Sequence, residues 1–263
     1  MDYLGYGFAL LIGLVLGLTG GGGSILTVPV LVYVMQLDAV TATAYSLFIV
    51  GTTSAVGTIQ NYRKGMVALR TGVVFALPSL IGVFLARKFL IGAIPDVIFS
   101  ASEFTLTKNG LLMIVFAVII FPVGVSMLRK SAHGPEAGKR QKRNPLLVVL
   151  QLFVAGMVVG LVGAGGGFLF TPLLLYVGGM EIKRAAATSL VIIAINSLLG
   201  FTGSLGSMVI DWPFLLSFTA LSIAGIFIGI YTVRYINETQ LKKGFAWFVL
   251  LMAVLILGKE LLA

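Results

Sequence analysis

Two glycine-rich stretches carry residue types that could hold an anion without charged side chains. Residues 17–29 read Gly-Leu-Thr-Gly-Gly-Gly-Gly-Ser-Ile-Leu-Thr-Val-Pro, and residues 160–172 read Gly-Leu-Val-Gly-Ala-Gly-Gly-Gly-Phe-Leu-Phe-Thr-Pro. A helix that starts directly after a glycine turn presents free N–H groups and the positive end of its dipole. Glycine also admits φ > 0 and lets backbone come close to a ligand. Two such helix starts facing one another make an anion site from backbone alone. The expected substrate-binding set is Gly20, Gly21, Gly22, Gly23, Ser24 and Thr27 from the first stretch, with Gly163, Gly165, Gly166, Gly167 and Thr171 from the second. Asn196 and Ser197 join it as polar residues inside an otherwise apolar helix, a functional hint in a membrane. Thr53, Ser54, Gln60 and Asn61 are expected to gate or coordinate.

Other chemistries find little to work with. The chain has no cysteine and one histidine, His133, in a polar connector. Thiolate metal sites, disulfides and the usual nucleophile constellations are therefore not expected, nor is a cofactor, a bound metal or an enzymatic activity. No acidic or basic residue falls at the centre of an apolar run, which argues against a carboxylate proton relay and a cation-selective acidic ring. What remains is an anion or a neutral polar molecule. Plainer roles compete for single residues. Gly13/Gly17 and Gly156/Gly160 have the small-xxx-small spacing of packed helices, but packing does not call for four glycines in a row. Isolated serines and threonines in apolar helices commonly bond back to the preceding turn. Asp38 and Glu181 are expected as helix caps, and Arg70 and Arg87 as residues that snorkel to the interfaces.

The elements that must position these residues are membrane helices. Of the 263 residues 59% are hydrophobic and 10% charged, against roughly 25% charged in a soluble domain. Mean hydropathy is +1.09. The first apolar run covers 3–35 and breaks at 20–24, leaving two arms too short for a ~30 Å hydrocarbon core, which takes ~20 residues. That pattern predicts a re-entrant or discontinuous pair of helices. Further helices are expected at about 39–59, 66–89 and 109–128, with Pro78 a kink and 91–108 an external loop, with or without a surface helix. The second half repeats the plan with a broken run at about 145–177 and helices at about 184–203, 212–233 and 243–262. No basic region precedes the first run, so it is expected to stay in the mature chain.

Residues 17–57 align with 160–200 without a gap, and 17 of the 41 positions are identical. The matches include Pro29/Pro172, Tyr33/Tyr176, Ser46/Ser189, Ser54/Ser197 and Gly57/Gly200. The unit is duplicated. Net charge is +9, and the basic residues sit at the ends of apolar runs, where they set orientation rather than bind nucleic acid. One set of alternate loops holds 13 Lys and Arg, the other four, with Arg70 left out. The positive-inside rule places the larger set in the cytoplasm. The fold class is then an all-α polytopic membrane protein with an inverted-topology internal repeat. Its parts are a first half at 1–130, a basic cytoplasmic connector at 131–144 and an inverted second half at 145–263. Both termini are expected in the periplasm. Duplicated, inverted, glycine-broken segments are a mark of secondary transporters.

The second stretch resembles the signature of the sulfite exporter TauE/SafE family, G-x-x-G-x-G-G-G-x-x-x-x-P, present in each half. The first copy departs at Ser24, where the last glycine is expected, so the half-sites need not be equivalent. The resemblance covers essentially the whole chain. It implies bacterial inner-membrane permeases of about eight spans that move sulfite, sulfoacetate or other small organic anions, often outward. A transporter of sulfite or a small organosulfonate, working by alternating access around the two breaks, is the expected function. The alternatives are a passive anion channel on the same scaffold and a permease for a small non-sulfur organic anion. The only partners expected are the small anion and the lipid bilayer.

Overall fold

Apolar runs punctuated by glycine and proline set the order of elements. The computed structural model describes residues 2–101, 104–128, 144–206, 208–232 and 238–262. The connector at 131–143 with His133, and Arg129, Lys130, Glu103 and Arg234, lie outside the described residues. Helix α1 spans Asp2–Thr19 and α2 spans Gly22–Val34, the latter opening with a 3₁₀ turn at Gly22–Leu26 and closing with a π turn at Val30–Val34. Then come α3 (Ala39–Arg63) and α4 (Leu69–Ala93), with a π turn at Ala86–Leu90. Strands β1 (Val97–Ala101) and β2 (Phe104–Thr107) pair antiparallel before α5 (Lys108–Leu128). The second half holds α6 (Pro145–Val162), α7 (Gly167–Tyr176), α8 (Ile182–Thr202), α9 (Trp212–Thr232) and α10 (Glu238–Leu262).

The hairpin stands where the sequence predicts an external loop, with or without a surface helix, between α4 and α5. Val97, Ile98, Phe99 and the threonines of β2 are branched or aromatic residues, which favour extended backbone, and Pro95 stops α4 from running on.

Among the described residues six helices are long and apolar enough to cross a membrane, and two shorter apolar helices, Gly5–Thr19 and Gly22–Val34, accompany them. The chain is a multi-pass, all-α membrane protein. Two of the six, α3 and α8, have 67% and 72% of their apolar windows buried in protein, against 33–44% for the others. They form the central pair and pack on one another. Around them α1 packs on α9, α4 on α6 and α5 on α10.

Lipid tails are as apolar as leucine, so membrane helices gain by close backbone approach, which small residues permit. Gly13 and Gly156 fill that role: a Cβ on Gly13 would run into the Ser222 carbonyl, and one on Gly156 into the Ser79 carbonyl. A Cβ on Gly17 would lie 2.7 Å from Ile226 O, and one on Gly160 2.7 Å from Val83 O. Each pair of contacts recurs 143 positions on, so the duplication seen in the residues extends to what they touch.

Asp38 caps α3, its carboxylate accepting from Thr41 N–H at 3.0 Å. Asp38→Ala is expected to lower stability by about 1 kcal/mol, read as a fall in Tm of the detergent-solubilised protein. Glu181 occupies the matching position before α8 but makes no side-chain cap bond; its extra methylene carries the carboxylate past the first-turn N–H groups. The arginines also part company. Arg70 is exposed as expected, whereas Arg87 is only 5% exposed. It sits where α4 presses against the end of α6, a Cβ on Gly160 lying 2.8 Å from Ala86 Cβ.

Candidate functional site

The chain leaves α1 at Thr19 and turns through Gly20 (φ 66°) and Gly21 (φ 124°) before α2 begins. In the second half Gly163, Gly165 and Gly166 have φ of 70°, 64° and 77° between α6 and α7. These left-handed values are strained for any residue with a side chain. Ser24 stands where the second copy has Gly167, and its backbone is already helical, so the serine fits without strain.

The two turns meet in the interior. A Cβ on Gly21 would lie 2.8 Å from Gly167 Cα and 2.7 Å from the Ile193 side chain of α8. One on Gly165 would lie 2.5 Å from Val50 Cγ1 of α3 and 3.3 Å from Ser24 Cβ. Each turn is also braced by the opposite half. Gly20 packs on Ala186 of α8, and Gly163 on Thr43 of α3, where an added Cβ would be 2.5 Å from the Thr43 carbonyl oxygen. Gly20, Gly21, Gly23, Ser24, Thr27, Gly163, Gly165, Gly166 and Gly167 are all buried, and Gly22 and Thr171 are half-buried.

Hydroxyls around the turns fall into two groups. Some are satisfied locally. Ser24 Oγ donates to Gly21 O at 2.7 Å, and Thr19 Oγ1 accepts from Gly23 N–H at 3.2 Å. Ser189 Oγ lies 2.7 Å from Gly20 O and 2.8 Å from Ala186 O, its single proton serving either, and accepts from Thr171 at 3.0 Å. Asn196 Nδ2 donates to Ser79 Oγ at 2.7 Å, joining α8 to α4. Others are buried with no hydrogen-bond partner: Thr27, Ser46, Thr53, Ser54, Thr58 and Ser197 hydroxyls, and Asn196 Oδ1. The back-bonding expected of isolated serines and threonines holds for Ser79 and Thr219 but not for these. A buried polar group left unpaired costs about 1–3 kcal/mol, so those on the central helices α3 and α8 are an uncommitted reserve of donors and acceptors.

The structure thus brings the two glycine turns, Ser24, Thr171 and Ser189 of α8 together, while Asn196 is held against α4 by Ser79. Gln60 and Asn61 are not among them. They lie at the end of α3, half-buried, with Asn61 Nδ2 bonded to Gly57 O at 2.9 Å. Sequence reasoning passed over Ser189 and Ser79 as site residues. Ser189 was visible as the duplicate of Ser46; Ser79 needed the α4–α8 contact. The two halves also differ here. Ser189 braces Gly20, while Ser46 at the matching position is unpartnered. Thr171 supplies the added donor in one half, and Val28 stands at that position in the other. Among the described residues no group of three His, Cys, Asp or Glu side chains could hold a metal.

The sequence profile described as Sulfite exporter TauE/SafE matches residues 6–256 of this chain. The chain belongs to the TauE/SafE family. The match takes in both glycine turns, α3 and α8 of this TauE/SafE protein. It is 28% identical over 255 residues to a probable membrane transporter protein of Xylella fastidiosa strain 9a5c, covering 95% of this chain and 92% of that one. A probable membrane transporter protein of Haemophilus influenzae is 26% identical over 266 residues, 93% of each chain. One from Methanocaldococcus jannaschii is 30% identical over 116 residues, 42% of this chain and 43% of its own. No solved structure matches this TauE/SafE chain. Family and relatives together make it a membrane transporter.

Proposed function

We propose that this protein is a secondary transporter of a small anion, sulfite or a small organosulfonate, held between the two glycine turns. The observation that carries the reading is the meeting of Gly21 and Gly167 backbone in the buried interior, with buried, unpartnered hydroxyls on α2, α3 and α8, the helices that flank the turns. Main-chain N–H groups and helix starts suit an oxyanion of that size. The binding set is Gly20, Gly21, Gly22, Gly23, Ser24, Thr27, Gly163, Gly165, Gly166, Gly167, Thr171, Asn196 and Ser197. Thr53 and Ser54 line the approach along α3, and Gln60 and Asn61 act at its end as a gate.

In this reading the halves at 1–130 and 145–263 are inverted-topology repeats whose broken helices enter the membrane from opposite sides. The recurrence of contacts at a 143-residue interval supports it, as do the 13 basic residues on one set of loops. The protein lies in the inner membrane with the connector in the cytoplasm and both termini in the periplasm. Export then follows from a cytoplasmic excess of the anion, one half rocking against the other around the turns.

Sulfite flux into proteoliposomes tests this directly. Efflux of labelled sulfite is expected to accelerate when unlabelled sulfite is present on the far side, as a carrier requires. Large unitary currents without such acceleration mark a channel instead. Flux of acetate at the rate of sulfite marks a general organic-anion permease.

A further inference from the structure

Arg87 is the one charged side chain among the described residues that is buried. Its Nε and Nη2 have no hydrogen-bond partner, and no described carboxylate pairs with it. An isolated cation buried beside lipid is costly, and such residues are kept where a ligand or a pathway uses them. Packing does not explain it. The matching position in the second half, 143 residues on, is Ile230, which is 7% exposed and packs against Gly17, its N–H nitrogen 3.0 Å from a Cβ built there. The same niche is therefore filled by an aliphatic chain in one half and by a guanidinium in the other.

The neighbours of Arg87 place it at the end of the central helix α8. Its stem runs past Gly203, where a Cβ would lie 3.2 Å from Arg87 Cβ, just beyond the end of α8. Ala86 beside it touches Gly160, three residues before the second glycine turn. Arg87 thus stands next to the segment that leads into the turn at 163–166 and has no counterpart beside the turn at 20–21.

We propose that Arg87 is an anion-binding residue, a charged station for the transported oxyanion on the second-turn side only. The inference rests on the anion reading above and adds a residue to it. A planar guanidinium donates through two parallel N–H groups to two oxygens of one carboxylate, sulfonate or sulfite group. The free Nε and Nη2 are such a pair. A backbone site with no net charge would weakly prefer an anion, and one cation makes the preference strong. It also makes the two halves unequal, so the anion rests longer on one side of the turns than on the other.

The test is anion-induced thermal stabilisation of the purified, detergent-solubilised protein with sulfite, sulfate, sulfoacetate and acetate, repeated on Arg87→Ile and Arg87→Lys. Arg87→Ile copies the residue the fold already accepts at position 230, and it removes an unpaired charge. Its ligand-free Tm is expected to equal or exceed that of the wild type, with the anion-induced shift lost. Arg87→Lys keeps the charge without the fork and is expected to bind at least tenfold more weakly. In proteoliposomes the same variant should raise KM while leaving the maximal rate within about twofold, a split that a merely structural arginine would not produce. A ligand-free Tm well below wild type with the anion shift intact overturns the proposal, because Arg87 then serves only the packing of α4. If Arg87→Ile cannot be purified folded, unchanged affinity in Arg87→Lys overturns it. A wild type that no anion of the panel stabilises overturns the anion reading itself, and this inference with it. Equal stabilisation of wild type and Arg87→Ile sinks the inference alone.

Discussion

Gly167→Val is expected to abolish sulfite flux in proteoliposomes while the protein still inserts and is purified as a helical species. The reason is local and steric. A Cβ on Gly167 would overlap the Gly21 backbone, and backbone cannot swing aside as the end of a side chain can. Both partners sit in turns that the opposite half braces, Gly20 against Ala186 and Gly163 against Thr43. Neither turn can retreat without moving a central helix. A branched residue at 167 must therefore force the turns apart at the point where the substrate is proposed to bind. Far-UV circular dichroism separates loss of the site from loss of the fold, since it reads helix content and not the small displacement of the turns. Normal sulfite flux through Gly167→Val would remove the meeting of the turns from the mechanism. Ser24→Gly restores the family pattern in the first half and adds no Cβ, so the change in flux it causes reports the Ser24 hydroxyl and its bond to Gly21 O alone.

Gly156→Leu is expected to destabilise the protein by about 3 kcal/mol or more, at the top of the usual range for overpacking. The Cβ would run into the Ser79 carbonyl, and a Cβ on Gly82 opposite would run into the Phe153 carbonyl. The α4–α6 contact is thus backbone on backbone from both sides. Ser79 is also the acceptor for Asn196 Nδ2, so prying α4 away strips a buried amide of its partner. Gly13→Leu repeats the clash against Ser222 in the α1–α9 pair and should cost a similar amount. The measurement is Tm or resistance to a denaturing detergent. A loss below 1 kcal/mol in both would mean that these helix pairs slide freely, contrary to the close approach seen here. Equal losses would show that the duplicated contacts carry equal weight.

Composition alone marks the chain as a membrane protein, because a run of twenty apolar residues has nowhere else to go. The duplication was also readable, since glycine, proline, tyrosine and serine recur together at a fixed offset. So were the interruptions at 20–24 and 163–167, because glycine clusters have no place inside a continuous helix. The hairpin after α4 was not, since short exposed runs of branched residues read equally as loop. Arg87 misled for a related reason. Sequence depth placed it near a helix end, where long basic chains reach water, and only the packing of α4 on α6 and α8 turned it inward. The same limit applies to the candidate site. Which residues are glycine is a local fact, but that Gly21 touches Gly167 is not. Nor could residue types tell that Ser189 is bonded and Ser46 is left free. Those outcomes depend on which backbone each helix meets across the bundle, and contacts between segments more than a hundred residues apart leave no trace in local pattern.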